Sequence, residues 1–215
     1  MDKRQLLRQP VLAFAALMLA SVCVSSVQAG PIGFVESNGI AYVYPAGSET
    51  RLNVNGSQAV FANDRIELAS GSLVLNLNGG GSVAFSGPSA AILGAASERL
   101  DLELSHGAFT YSLPAGARNL NVRTSDAVIS SRDLDPSEAG VIRSGAIERL
   151  SSGGLRTHAR SGSLQVIDRD GTEHVLGAGQ GISIDGAEIQ SLSSDDAEAD
   201  DTRRVEPAPR PRSIS

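Results

Sequence analysis

The sequence predicts an all-β chain, a short β-solenoid or rolled sheet built from strand–turn–strand coils. Three observations lead there. The chain nearly repeats itself: Ser70-Gly71-Ser72-Leu73-Val74-Leu75 leads through a Gly-rich turn to Val83 and Phe85, and Ser161-Gly162-Ser163-Leu164-Gln165-Val166 leads through Asp170-Gly171 to Val175 and Leu176. Recurrence of one strand–turn–strand unit is how coiled β architectures are assembled from local pieces. Apolar residues alternate with polar or small ones in short runs, and turn residues punctuate them at about 8–12-residue intervals. Trp is absent, aromatics make up 4% of the chain and there are 23 glycines, so Val, Leu, Ile and Ala must fill the interior.

Taken in order, Ile40, Tyr42 and Tyr44 alternate before Pro45-Ala46-Gly47. Leu52 and Val54 alternate before Asn55-Gly56, a strong tight-turn signal because both residues tolerate positive φ. Val60 and Phe61 run into Ala62-Asn63-Asp64, and Ile66 and Leu68 follow. Leu73, Leu75 and Leu77 point one way before Asn78-Gly79-Gly80-Gly81. Leu100, Leu102 and Leu104 alternate with Asp101 and Glu103 up to His106-Gly107. Phe109, Tyr111 and Leu113 precede Pro114-Ala115-Gly116, and Leu120 and Val122 come next. Each run has one apolar face, as a half-buried sheet requires. Phe34, Phe61, Phe85 and Phe109 recur about every 24 residues, a second sign of repeated coils.

Residues 133–154 break the rhythm. Asp133-Leu134-Asp135-Pro136-Ser137-Glu138 reads as a loop or short helical turn, with one further strand over Val141-Ile142 and Ile147. The alternation resumes at Leu155 and closes with Gly181-Ile182-Ser183-Ile184. Residues 191–215 carry an acidic run (Asp195 to Asp201) and then Pro207-Ala208-Pro209-Arg210-Pro211-Arg212. Such a tail cannot bury enough apolar surface to offset its ordering entropy, so it is expected to be disordered.

The N-terminus reads as a secretory signal. Lys3, Arg4 and Arg8 precede an apolar run from Val11 to Val24, and Val27-Gln28-Ala29 supplies a small-x-small cleavage site. The run is shorter than the roughly 20 apolar residues a membrane-spanning helix needs. The expected organisation is therefore a signal peptide over 1–29, a β domain over 30–190 and the tail over 191–215. The expected location is periplasmic or extracellular, with no stable membrane span expected in the mature chain. Cys23, the single cysteine, falls in the signal, so the mature chain has no disulfide and no thiolate metal site. Without Lys3, Arg4, Arg8 and Asp2, the 18 basic and 24 acidic residues fall to 15 and 23, a net charge near −8. An acidic chain without a basic stripe has no electrostatic reason to hold nucleic acid.

No reaction centre is legible. His106, His158 and His174 lie outside any zinc-ligand spacing, and there is no Gly-x-Ser-x-Gly elbow or phosphate loop. Asp168-Arg169-Asp170-Gly171-Thr172 begins like a calcium loop but lacks the later bidentate Glu, and a hairpin turn on Asp170-Gly171 accounts for the same residues. Asp101 and Glu103 share a strand face, which reads more simply as a solvated edge than as a catalytic dyad. No catalytic, cofactor-binding or metal residue is assigned, and no cofactor is expected.

Several segments resemble the FecR-type periplasmic domain family. Gly39-Ile40-Ala41-Tyr42-Val43 resembles its opening, and Ala62-Asn63-Asp64-Arg65-Ile66-Glu67-Leu68 its Gly-Asp step. Leu73-Val74-Leu75-Asn76-Leu77 before Gly80-Gly81-Ser82-Val83 resembles its strand–Gly turn–strand. Val122-Arg123-Thr124-Ser125-Asp126-Ala127-Val128-Ile129 and Val175-Leu176-Gly177-Ala178-Gly179-Gln180 resemble two later segments. The resemblance covers about residues 33–185. It implies a solenoid-like, non-enzymatic domain of regulators that read outer-membrane transporters and control a sigma factor. About ten residues precede the apolar run, where the full regulators carry a cytoplasmic anti-sigma domain, so direct sigma-factor control is not expected. Ser130-Ser131-Arg132-Asp133-Leu134-Asp135-Pro136 also departs from the family's Gly-Thr-x-Phe-x-Val step. The expectation is a non-enzymatic protein-binding module in cell-envelope sensing or signal transduction, its partner an envelope protein such as an outer-membrane transporter or regulator. The alternatives are a structural, matrix or adhesive protein that self-associates through its β coils, and a glycan-binding or glycan-acting protein.

Overall fold

The computed structural model describes residues 30–96, 99–132, 142–186 and 188–192. The expected signal over 1–29, the loop over 133–141 and the tail from 193 onward lie outside the described residues. Fourteen strands form one open sheet: β1 (Gly33–Tyr44), β2 (Leu52–Asn53), β3 (Gln58–Val60), β4 (Arg65–Leu77), β5 (Ser82–Ala96), β6 (Arg99–Leu113), β7 (Asn119–Arg123), β8 (Ala127–Arg132), β9 (Arg143–Arg149), β10 (Leu155–Ser161), β11 (Ser163–Asp168), β12 (Glu173–Leu176), β13 (Gly181–Asp185) and β14 (Glu188–Leu192). The all-β expectation holds. Stacked solenoid coils are not what the pairing displays, because coils stack through parallel registers. A single parallel ladder, β6 with β7, occurs among the described residues, and the other pairings are antiparallel.

Four long strands, β1, β4, β5 and β6, form the trunk as antiparallel neighbours. Each buries two short apolar runs separated by a small or polar corner. In β4 these are Ile66 and Leu68, then Leu73 and Leu75 across Ser70-Gly71; in β6 they are Leu100, Leu102 and Leu104, then Phe109, Tyr111 and Leu113 across His106-Gly107. The register slips at these corners, between Ile40 and Ala41, between Leu68 and Ser72, and between Ser86 and Ala90. A bulge bends a strand and changes its facing. Both runs of each strand therefore reach the same aliphatic core, and the sheet folds over along the line of corners.

Strand β6 then divides the sheet. Its first half, Arg99 to Glu103, pairs with β7, and its second half, Gly107 to Leu113, pairs with β9. One arm runs β7-β8-β11-β12 and the other β9-β10-β13-β14. Leu164 and Val166 of the first arm and Leu155, Ile182 and Ile184 of the second complete the core. Ile147 lies in β9 as a buried residue, whereas Ile142 precedes the strand and is exposed.

The alternation misreads one face. Ile40, Tyr42 and Tyr44 point outward, and Ala41 and Val43 between them enter the core. The outward tyrosines are covered by guanidinium groups: Arg51 lies 4.7 Å from the Tyr42 ring centroid and Arg65 3.7 Å from that of Tyr44. Cation–π contact lets an aromatic ring sit at the surface without an apolar neighbour. The phenylalanine spacing also has a local meaning. Phe85 and Phe109 are register partners on adjacent strands with ring centroids 5.4 Å apart, whereas Phe34 and Phe61 are exposed.

Asp64, in the Gly-Asp-like step, is buried and ties two loops together. Its Oδ1 accepts from the Ala46 amide at 2.9 Å and its Oδ2 from the Phe61 amide at 2.8 Å. Asn63 before it takes φ 69°, the left-handed conformation Asn tolerates. Replacing Asp64 by Ala leaves both amides without their acceptor. The Asp64→Ala variant is expected to lose roughly 3 kcal/mol, with a thermal midpoint lower by about 6–12 °C in calorimetry. An unchanged midpoint would show that water replaces the carboxylate.

Candidate interaction surface

The sheet ends differ in how their backbone is covered. At one end, the outer edge of β1 is capped by very short strands. β3 pairs with Gly33 to Val35, β2 pairs with Tyr42 and Val43, and the Val54 amide donates to the Ala41 carbonyl at 3.0 Å. Short covering strands are one of the ways natural sheets blunt an edge. At the other end, β12 pairs with β11 alone and β14 with β13 alone among the described residues. Glu188, Ile189, Gln190 and Ser191 of β14 are exposed on both faces of the strand. Val175 of β12 is 57% exposed and stands on the same face as Ile167 of β11, because its register partner is Gln165. Two strands thus offer unpaired backbone groups with apolar side chains beside them.

The turns between these strands gather at one end of the arms. Asp168 closes the β11–β12 hairpin: its Oδ1 accepts from the Thr172 amide at 2.8 Å and the Asp170 amide at 3.0 Å, and its backbone amide donates to the Thr172 carbonyl. His174 Nε2 stands 3.2 Å from Asp168 Oδ2. The hydrogen bond from His174, helped by the two amides, holds the Asp168 carboxyl below the usual carboxylate range. The residues that resembled the start of a calcium loop therefore form the hairpin turn, with both Asp168 oxygens engaged in it. Arg169 reaches across to pair with Asp126 in the β7–β8 turn. Between this turn and the β13–β14 hairpin lies a dent of about 30 Å³, bordered by Asp126, Asp170, Ile184 and Ile189. That is room for a few water molecules, well short of a ligand-sized pocket.

The other sequence candidates are dispersed. His106 is exposed at the β6 corner and His158 lies on β10, on strands separate from His174. Asp101 is not on an edge, since β6 is flanked by β5 and β7. Its carboxylate receives Arg99 Nε at 2.8 Å and Asn121 Nδ2 at 2.7 Å, and Ser130 Oγ donates to Asn121 Oδ1 at 3.1 Å. This cross-strand ladder spends Asp101 on holding β6, β7 and β8 together, and Glu103 takes no part in it. In the core, burial pushes the Tyr111 phenol well above its ordinary range, and nearby Arg143 offsets only part of that. Arg143 itself is buried and fixes the β6–β7 connection through the Ala117 carbonyl at 2.8 Å and the Asn119 side chain. Among the described residues no group of three or more His, Cys, Asp or Glu is placed to share a metal ion, and no helix is long and apolar enough to cross a membrane.

No family model and no curated protein matches the chain. Two crystal structures of a candidate anti-sigma factor from Parabacteroides distasonis are similar to it at 15% identity. One match covers 67% of this chain and 62% of that protein with a TM-score of 0.41, and the other covers 65% and 60% with a TM-score of 0.40. The chain spans about three fifths of the length of these structures.

Proposed function

We propose that the chain is an exported, non-enzymatic interaction module of the cell envelope, which binds a protein partner by adding a strand to its open edges. The observation that carries this reading is that, among the described residues, β12 and β14 each pair on one side alone, on a sheet whose opposite end is capped. An extended segment laid on such an edge gains main-chain hydrogen bonds along its length and selectivity from alternate side chains. The signal-like N-terminus supports export, and the FecR-type segments support a signalling role with an outer-membrane transporter or regulator as partner. The dispersal of the histidines and the structural use of Asp101 and Asp168 support a non-enzymatic role.

Proline substitution tests it. Along β14, alternate residues direct their N–H outward or toward β13. Of Ile189→Pro and Gln190→Pro, one removes an outward donor and the other a donor to β13. The variant that keeps its thermal midpoint is expected to lose capture of the transporter or regulator from an envelope extract. Undiminished capture by both variants would overturn the edge as the binding surface. The same edges could instead pair between copies. Oligomers that grow with concentration in light scattering would favour that structural reading, and a monomer at micromolar concentration the first.

A further inference from the structure

We infer that the Asn55-Gly56 step is a self-modification site, where the chain converts its own asparagine to aspartyl and isoaspartyl forms through a cyclic imide. The chemistry needs a backbone nitrogen that is not engaged elsewhere, a side-chain amide free to turn onto it, and a following residue without a Cβ to obstruct the approach. The chain has three Asn-Gly steps, at Asn38, Asn55 and Asn78, and the fold separates them sharply.

Asn38-Gly39 lies inside β1, where Asn38 is registered with Ser72 and Gly39 with Gly71, so the backbone cannot rotate to bring Cγ to the next nitrogen. Asn78 is held at both ends: its backbone amide donates to the Ile32 carbonyl at 2.9 Å, and its side-chain Nδ2 donates to the Pro31 carbonyl at 2.9 Å. Asn55 lacks both of these restraints, while it shares with Asn78 an exposed position outside the ladders and open space around the following glycine. It lies in the connection from β2 to β3, outside any ladder, and is exposed. Among the described residues its side-chain amide has no hydrogen-bond partner, and the Gly56 amide donates to no backbone carbonyl outside the strands. A Cβ on Gly56 would find nothing within 4 Å, so the space around the step is open. Two Asp-Gly steps, Asp170-Gly171 and Asp185-Gly186, offer the same spacing, but a carboxylate is a poorer electrophile than an amide. In the first of them the Gly171 amide is also engaged with the Asp168 carbonyl at 3.1 Å.

The step balances with solvent alone. The Gly56 nitrogen forms a bond to Asn55 Cγ as the Cγ–Nδ2 bond breaks, and ammonia leaves carrying the displaced amide proton. Water then opens the imide at either carbonyl, giving Asp at position 55 or its isoaspartyl isomer with one more carbon in the main chain. Either product places a carboxylate in the β2–β3 connection. The second also lengthens the backbone that caps the outer edge of β1.

The test is peptide mapping by mass spectrometry after incubating the full chain in mildly alkaline buffer. Asn55 is expected to show the mass gain of amide-to-acid conversion, split between two chromatographic isomers, well ahead of Asn38 and Asn78. In urea the three sites are expected to converge, because unfolding releases the other two. Asn55→Gln should abolish the modification at that position. Equal rates at the three sites in the folded chain, or a slower rate at Asn55 than at Asn78, would overturn the assignment.

Discussion

The Gly71→Ala variant is expected to unfold at a thermal midpoint about 8–16 °C below the parent chain, a loss of about 4 kcal/mol. Gly71 on β4 and Gly39 on β1 are register partners, and their α-carbons meet without side chains between them. A methyl group on Gly71 would stand 2.1 Å from the Asn38 carbonyl oxygen and 2.9 Å from Gly39 Cα. Neither obstacle is a side chain that can swing away, so the two strands must part at the corner where the trunk folds over. Gly71 also takes φ 88°, where an L side chain is strained by about 1–2 kcal/mol. Gly47→Ala separates the two causes. Its φ is 71° and nothing lies within 4 Å of the added carbon, so it should cost only the conformational part, about 1 kcal/mol. A mirror substitution, Gly39→Ala, parts the same strands. The double variant is therefore expected to cost less than the two single variants added together. Strict additivity in urea unfolding would mean that the corner is not one shared contact.

Phe85→Ala is expected to cost about 3–5 kcal/mol. Phe85 and Phe109 are 2% exposed, tilted at 50° to one another, and occupy opposite positions on β5 and β6. In a core filled mostly by aliphatic residues, these rings are the largest fully buried side chains among the described residues. Truncation leaves a void bordered by strands whose ladders fix their spacing, so collapse is limited. Phe85→Leu keeps most of the volume and should cost less than half as much. A cycle with Phe109→Leu is expected to give a coupling of about 0.5–1.5 kcal/mol, the part due to ring-on-ring geometry. Coupling near zero would assign the whole effect to volume.

The strands were legible because alternation is a local signal, and a ribbon with one buried face writes it directly into adjacent residues. Leu73 and Leu75, Leu100 to Leu104, and Leu164 with Val166 all enter the core as their spacing predicts. The face of β1 was misread because both of its faces are apolar, and Arg51 and Arg65, which cover the outward one, arrive from separate stretches of the chain. The near-echo of Ser70 to Leu75 and Ser161 to Val166 is a real local likeness, since Gly71 and Gly162 both take positive φ. Its setting differs: the first bends a continuous strand, and the second joins β10 to β11. The division of the sheet at β6 was not legible, because it depends on which distant strands meet its two halves. The candidate surface was hidden for the same reason. Whether β12 or β14 is an edge is decided by what fails to pair with it, and no property of Glu173 to Leu176 or Glu188 to Leu192 announces that.

A three-way junction at one strand also constrains how the chain can mature. The first half of β6 waits for Arg123 and the second for Arg143, so neither ladder can close from neighbouring residues alone. Distant closures are entropically slow to find. Closing this junction is therefore expected to be a late step in assembling the sheet, after β1, β4, β5 and β6 have paired as neighbours.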